Sequence, residues 1–185
     1  MKSAEKWKTE LETARRMKDE FFGSGHPQSP ISPADIHDFK GLVYFPPDPA
    51  YRFELGLLEH KDKTTLKMQD TQGGERDLIR WGEFRFRISD EEYVLQAYKS
   101  DATEERLFVP FRDATSGKDT YGAGRYLDLE PKKDQTADGK WIVDFNTAYS
   151  PWCAYSKAYA CPFVPPENWL KIPIPAGEKN YCSGK

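Results

Sequence analysis

Between Tyr51 and Phe145 the apolar residues of this chain recur at every second position, a period that only extended backbone can use. Tyr51, Phe53, Leu55 and Leu57 alternate with Arg52, Glu54 and Gly56. Leu66 and Met68 alternate with Thr65, Lys67 and Gln69, and Phe84, Phe86 and Ile88 with Glu83, Arg85 and Arg87. Tyr93, Leu95 and Ala97 continue the pattern, then Leu107, Val109 and Phe111, then the runs Arg125–Leu129 and Trp141–Phe145. Residues two apart on a strand share a face, so each run has one apolar side to bury. Turn signals lie between the runs: His60-Lys61-Asp62-Lys63, Gln72-Gly73-Gly74, Ser89-Asp90, Ser100-Asp101 and Asp138-Gly139. Short turns make neighbouring strands antiparallel. The expected fold class is mainly β (α+β), a bent antiparallel sheet that closes toward a barrel or a two-layer sandwich.

Two helices are expected ahead of the sheet. Lys2–Phe22 places Trp7, Leu11, Ala14 and Phe21 on one stripe, with Met17 beside it and Glu12 one turn from Arg16. Gly23 and Gly25 stop it. Ser32 is positioned as an N-cap, with Pro33 at the first helical position and Asp35 where a capping acid belongs, and Gly41 ends that second helix.

The 185 residues suit one domain: helices over 1–41, an antiparallel core over 51–145 and an irregular covering segment over 146–185. Lys and Arg are scattered and the net charge is −3, which argues against nucleic acid as a partner. No segment approaches the apolar length of a membrane span, and the charged N-terminus has no apolar signal core. The expectations are therefore no membrane partner and a cytoplasmic location.

Two connections break the pattern of short turns. One is Arg112–Gly124. The other runs from Asp144 to Lys179 and carries Tyr149, Trp152, Tyr155, Tyr159, Phe163 and Trp169, too much apolar surface to leave in water. It must fold over something. Gly117-Lys118 lacks the phosphate-loop pattern, because Arg112 stands at the first glycine position and Asp119 follows the lysine. Gly122-Ala123-Gly124 is no dinucleotide fingerprint, since Leu127 occupies the third glycine position. Ser116 and Gly117 can still turn backbone N–H groups toward an anion beside Arg112, Lys118 and Arg125. The plainer alternative is a loop stapled to itself by its Arg and Asp side chains.

Cys153 and Cys161 are spaced C-x7-C, wider than the usual zinc pairs, and His26, His37 and His60 all lie in the first third of the chain. Together with Cys182, the cysteines read as buried free thiols, with metal binding at Cys153 and Cys161 as a weak alternative. A Cys153–Cys161 disulfide is the alternative if a leader preceded the chain. Asp144 and Asn146 share the strand face opposite Trp141, Val143 and Phe145. A barrel would point them into its cavity, where Arg112 or Arg125 would pair with Asp144. An ordinary sheet would leave Asp144 in water.

The segments FRDATSGKDTYGAGRYLDLE and DFNTAYSPWCAYSKAYACPFVPPENWLKIPIPAGEK together resemble an uncharacterised family of bacterial and archaeal proteins, the domain of unknown function DUF1684, over most of the chain from Phe39 onward. The resemblance implies that Arg112, Asp113, Ser116, Gly117, Tyr121, Gly124, Arg125, Asp144, Asn146, Tyr149, Cys153, Cys161, Pro166, Glu167 and Asn168 belong to the family's pattern. Some members of the family look exported, which keeps the disulfide open. It implies no activity, substrate or cofactor.

The first functional expectation is a small-molecule pocket, suited to an anion among others, between the 112–125 loop and the 144–169 segment. Arg112, Asp113, Ser116, Arg125, Asp144 and Asn146 would be its polar groups, and Tyr121, Tyr149, Trp152 and Tyr155 its walls. A hydrolase-like enzyme would use Asp144 as its acid–base group. An interaction module or homodimer would use the aromatic C-terminal segment instead.

Overall fold

The computed structural model describes residues 2–181, so Cys182 lies outside the described residues. A long helix, α1 (Lys2–Gly23), precedes seven strands: β1 (Arg52–Leu55), β2 (Leu58–Gln69), β3 (Glu75–Ile88), β4 (Glu91–Lys99), β5 (Leu107–Phe111), β6 (Arg125–Leu129) and β7 (Trp141–Asp144). A four-residue helix, α2 (Pro131–Asp134), joins β6 to β7. Strands β2 to β6 form a five-stranded antiparallel meander in chain order, while β1 and β7 pair as a separate two-stranded ribbon. The sheets do not close into a barrel; the arrangement is sandwich-like.

The two expected readings of Trp141, Val143 and Phe145 resolve on burial. All three point inward and join Phe84, Phe86, Leu95, Val109, Phe111 and Leu127 in one core between ribbon and meander. Residues Leu170, Ile174 and Ala176 of the C-terminal run complete that core. Strand β5 is buried at all five positions, as a continuous apolar run should be when both faces are covered. Its outer face belongs to a second core of Met68, Leu78, Tyr98, Phe108, Tyr126 and Val164. The irregular segment therefore folds over the outer face of the meander, and then crosses to the inner core.

Two local expectations fail for identifiable reasons. The His60–Lys63 turn is part of β2, where the pairing with β3 jumps from Glu59↔Gly82 to Thr64↔Arg80. The charged residues are a bulge inside a strand rather than its end. A second bulge, between Arg80 and Gly82 of β3, moves even-numbered residues from the outer core (Leu78) to the inner one (Phe84, Phe86). The helix expected after Ser32 shrinks to a single 3-10 turn, Ile36–Asp38. Ser32 and Asp35 do make their reciprocal bonds, but too few residues follow to repay helix nucleation.

Helix α1 lies across the far side of the β1–β7 ribbon. Its packed face is Trp7, Leu11, Arg15, Lys18 and Phe22, whereas Ala14 of the expected stripe and Met17 beside it are exposed. Two cations thus sit in the docking face. Arg15 donates to the carbonyls of Phe45 and Asn146 and stacks over Tyr44. Lys18 donates to Glu178. On the wet side Glu12 pairs with Lys8, and Arg16 with Glu20, in place of the expected Glu12–Arg16 pair.

Candidate functional site

The structure brings Asp113, Ser116 and Arg125 together, but closes them on the chain itself. Asp113 Oδ1 accepts from the Thr115 amide at 2.9 Å and the Thr115 hydroxyl at 2.6 Å. Its Oδ2 accepts from Arg125 Nη2 at 2.8 Å and from the Ile174 amide at 3.0 Å. Arg125 also donates to the carbonyls of Ile174, Ala176 and Glu178, and its guanidinium lies 5.1 Å from the Phe111 ring centre. The side chains of Arg125 and Asp113 are 1% and 0% exposed. Burial lowers the Arg125 pKa, and Asp113 opposes that shift. The amides of Ser116 and Gly117 donate to the carbonyls of Asp113 and Thr120, so they are not aimed at an anion. The loop is a staple between β5, β6 and the C-terminal run.

Arg112 stands apart from this network. Its backbone exchanges hydrogen bonds with Asn168 and Leu170, and its guanidinium lies 4.7 Å from the Trp169 ring centre. Asn168 is fully buried and satisfies strand backbone at Gln96 and Pro110.

Asp144 and Asn146 are buried, under α1 rather than in a barrel cavity. Asp144 Oδ1 accepts from the amide and the side chain of Asn146, at 2.9 and 2.8 Å. Its Oδ2 accepts from Trp7 Nε1 at 2.7 Å, with Arg52 Nε 3.7 Å away. Its partners are therefore Trp7, Arg52 and Asn146, in place of Arg112 or Arg125. Asn146 goes on to clamp the backbone of Asp48 in both directions. A cleft of about 210 Å³ beside Asp144 also reaches Asp134, which burial holds above the ordinary carboxylate range. Committed to these donors, Asp144 has little capacity left to take a substrate proton.

A second cleft, of about 390 Å³, lies on the outer face of the meander. Phe108 and Tyr126 form its floor, and Tyr149, Trp152, Tyr159 and Pro162 of the irregular segment overhang it. Arg76, Ser100 and Arg106 stand at its edge. Tyr126 donates to the Pro162 carbonyl, fixing segment to sheet. Tyr149 donates to Asp128, and Arg106 bridges Asp128 and Glu104 at 2.8 Å each. Burial pushes the phenols of Tyr126 and Tyr149 up, so both remain hydrogen-bond donors at neutral pH. Of the sequence candidates, Tyr149, Trp152 and Cys161 line this cleft. Tyr155 instead packs edge-on against Phe22 of α1, 5.1 Å between ring centres. Arg76, Arg106, Phe108 and Tyr126 were missed. The available signal was the unbroken apolar run Leu107–Phe111, which demands a cover on the outer face.

Beside the cleft lie two free thiols. The Cys153 amide donates to Cys161 Sγ at 3.3 Å, and the Tyr121 hydroxyl lies 3.7 Å from Cys153 Sγ. The hydrogen bond from the Cys161 thiol is the largest influence on Cys153, and with Tyr121 and Thr71 it outweighs burial and lowers the pKa to about 6. The same pairing, with burial, pushes the Cys161 thiol up. Among the described residues no group of three or more His, Cys, Asp or Glu gathers as a metal cage. His60 bonds Gln96, and His26 packs against Phe21.

The molecule is thus a mainly β, antiparallel α+β protein with a covered meander and a side cleft. The chain belongs to the family described as "Protein of unknown function (DUF1684)", whose model matches residues 37–179. It is similar to the uncharacterized protein from gene locus rrnAC0354 of Haloarcula marismortui, known from a solution NMR structure. The two are 40% identical, with 96% of each chain covered and a TM-score of 0.72. No curated protein matches the chain. Among the described residues no helix is long and apolar enough to cross a membrane.

Proposed function

We propose that this protein binds a small organic molecule in the cleft between the outer face of the meander and the segment around Trp152–Pro162. The observation that carries the reading is the lining: five aromatic rings around a volume of about 390 Å³, with two guanidinium groups at its edge. That volume lies within the usual range for ligand pockets, which are mostly apolar with a few placed polar groups. The chemistry suits a flat apolar body stacked among Tyr149, Trp152 and Tyr159, and an anionic or carbonyl head near Arg76, since Arg106 is already bonded to Asp128 and Glu104. The irregular segment supplies one wall, as the sequence suggests. The other wall comes from β3 to β6 in place of the 112–125 loop.

The test is native mass spectrometry of protein taken directly from cells, followed by ligand-observed NMR with a panel of aromatic carboxylates. Binding is expected, and Trp152→Ala is expected to weaken it roughly 3- to 10-fold, the loss of one ring contact of about 0.5–1.5 kcal/mol. Absence of any binder, or binding indifferent to both Trp152→Ala and Arg76→Ala, overturns the reading.

A second reading is favoured by the exposure of Trp152, Phe163 and Trp169 along one segment, at 37%, 44% and 49%. Such a run suits a docking surface or a homodimer. Light scattering across a concentration series tests it, and a monomer at all concentrations removes the homodimer.

A further inference from the structure

We infer that Cys153 and Cys161 form an oxidant-reactive dithiol, in which Cys153 attacks a peroxide and Cys161 then closes a disulfide across the loop between them. The inference does not depend on the ligand reading of the adjacent cleft. It rests on where the fold places the two sulfurs and on the groups around them.

Cys153 lies in the 3-10 turn Trp152–Ala154 and is half-buried, so a small oxidant can reach it. Cys161 is buried and its backbone is fixed on both sides: its amide donates to Thr71 Oγ1 at 3.2 Å and its carbonyl accepts from the Thr71 amide at 3.1 Å. The anchored residue is therefore held against the Trp152–Ala154 turn, with Cys161 Sγ on the Cys153 amide at 3.3 Å. A residue's amide nitrogen and its own Sγ are three bonds apart. Rotation about the Cα–Cβ bonds is then the main motion separating this contact from the close sulfur approach a disulfide needs.

The surroundings divide the labour between the thiols. The Tyr121 hydroxyl, 3.7 Å from Cys153 Sγ, and the Cys161 thiol both donate to a Cys153 thiolate. With a pKa of about 6, roughly ten Cys153 sulfurs are ionised for each that is not at pH 7. The thiolate is the nucleophile, and exposure with a neighbouring thiol marks the reactive kind of cysteine. Cys161 keeps the shared proton because its partner already carries the negative charge. Once Cys153 is oxidised that charge is gone, and of the two main causes holding the Cys161 proton only burial remains.

The chemistry balances with hydrogen peroxide as oxidant. Cys153 S⁻ attacks one peroxide oxygen; the S–O bond forms, the O–O bond breaks, and the departing hydroxide takes a solvent proton to leave as water. Cys161, giving up its proton, attacks the sulfur of the Cys153 sulfenic acid. The S–S bond forms, the S–O bond breaks, and the leaving hydroxide takes that proton as a second water. Two thiols lose two electrons in total and one peroxide gains them. The product ties the turn bearing Trp152 to the anchored edge at Thr71, and so fixes the overhang of the cleft.

The experiment uses the full chain carrying Cys182→Ser, so that only the two thiols in question remain. Iodoacetamide labelling of Cys153 is expected to reach half its maximal rate near pH 6 and to level off by about pH 7. Treatment with hydrogen peroxide is expected to lower the intact mass by two hydrogen atoms and to block labelling, with dithiothreitol restoring both. Adding Cys161→Ser is expected to stop the reaction at a sulfenic acid that dimedone traps on Cys153. Adding Cys153→Ser is expected to leave Cys161 reduced under the same treatment, and Tyr121→Phe is expected to raise the labelling midpoint. A labelling midpoint near the ordinary thiol value of about 8.5, or thiols that remain labelable after peroxide, overturns the inference.

Discussion

The Arg125 guanidinium and the Asp113 carboxylate meet at 2.8 Å, with neither side chain reaching solvent. Each is further bonded to the C-terminal run, Arg125 to three of its carbonyls and Asp113 to the Ile174 amide. Removing one partner leaves a buried charge uncompensated, so Asp113→Ala or Arg125→Met is expected to cost about 3–5 kcal/mol. The double variant is expected to cost less than the sum, by a coupling of about 0.5–3 kcal/mol. Urea unfolding of the four proteins measures this. Additive losses would mean that the pair does not act as a unit.

Glu178 gives stability a pH dependence. Burial, the largest influence, raises its carboxyl pKa, against the opposing pull of Lys18 at 2.7 Å. A carboxyl with a raised folded pKa holds its proton in the folded state after the unfolded chain has released it. Its contribution is full below the unfolded value of 4.5 and is lost as pH rises through the folded value. Glu178→Gln fixes the neutral form. The stability of the variant relative to the native chain is therefore expected to improve as pH rises from about 4 to about 7. Thermal unfolding over that range checks it, and parallel curves would contradict it.

The strands β6 and β7 were legible almost residue for residue, because Leu127 and Leu129, and Trp141 and Val143, alternate toward the inner core. The bulges in β2 and β3 were not. An extra residue in a strand breaks the period just as a turn does, and His60–Lys63 carries the polar residues of either. The docking face of α1 was hidden for another reason. Arg15 and Lys18 are half-buried against partners 30 to 160 positions away, which no local pattern announces. Asp113, Ser116 and Arg125 were singled out as polar groups of a ligand pocket, and the chain gathers them around the Asp113 carboxylate. Their chemistry is the same whether they close on a ligand or on carbonyls of the chain, and only the path of residues 174–178 decides between them. The cleft was half visible: its overhang is an aromatic-rich segment, whereas its floor needed the pairing of β3, β4, β5 and β6.

Asp144 illustrates the same ambiguity with a measurable outcome. Its carboxylate holds Asn146 and receives Trp7 of α1 at 2.7 Å. Asp144→Asn replaces one acceptor with a donor and leaves a group without its partner. The expected cost is about 1–3 kcal/mol. The change should also loosen the docking of α1, seen as a red shift in tryptophan emission that Trp7→Phe removes. Unchanged stability and emission would return Asp144 to the list of candidate acid–base groups.

Gly124 tests how tightly the irregular segment is seated on the sheet. Its φ is +105°, and a Cβ there would sit 2.6 Å from both the Phe111 carbonyl oxygen and Val164 Cγ2, and 2.8 Å from Arg112 Cγ. Gly139 provides the comparison, with φ of +82° and no atom within 4 Å of its Cβ position. Gly139→Ala is expected to carry only the conformational penalty, about 1 kcal/mol. Gly124→Ala carries that penalty and the overpacking against the Phe111 carbonyl and the Val164 and Arg112 side chains, a further 1–3 kcal/mol or so. Paired denaturation curves isolate the second part, since the backbone penalty is common to both. A difference within error would mean that the segment lifts away to admit a methyl group. The native segment would then be a loosely held cover, and its contacts with β5 and the 112–124 loop would contribute little to stability.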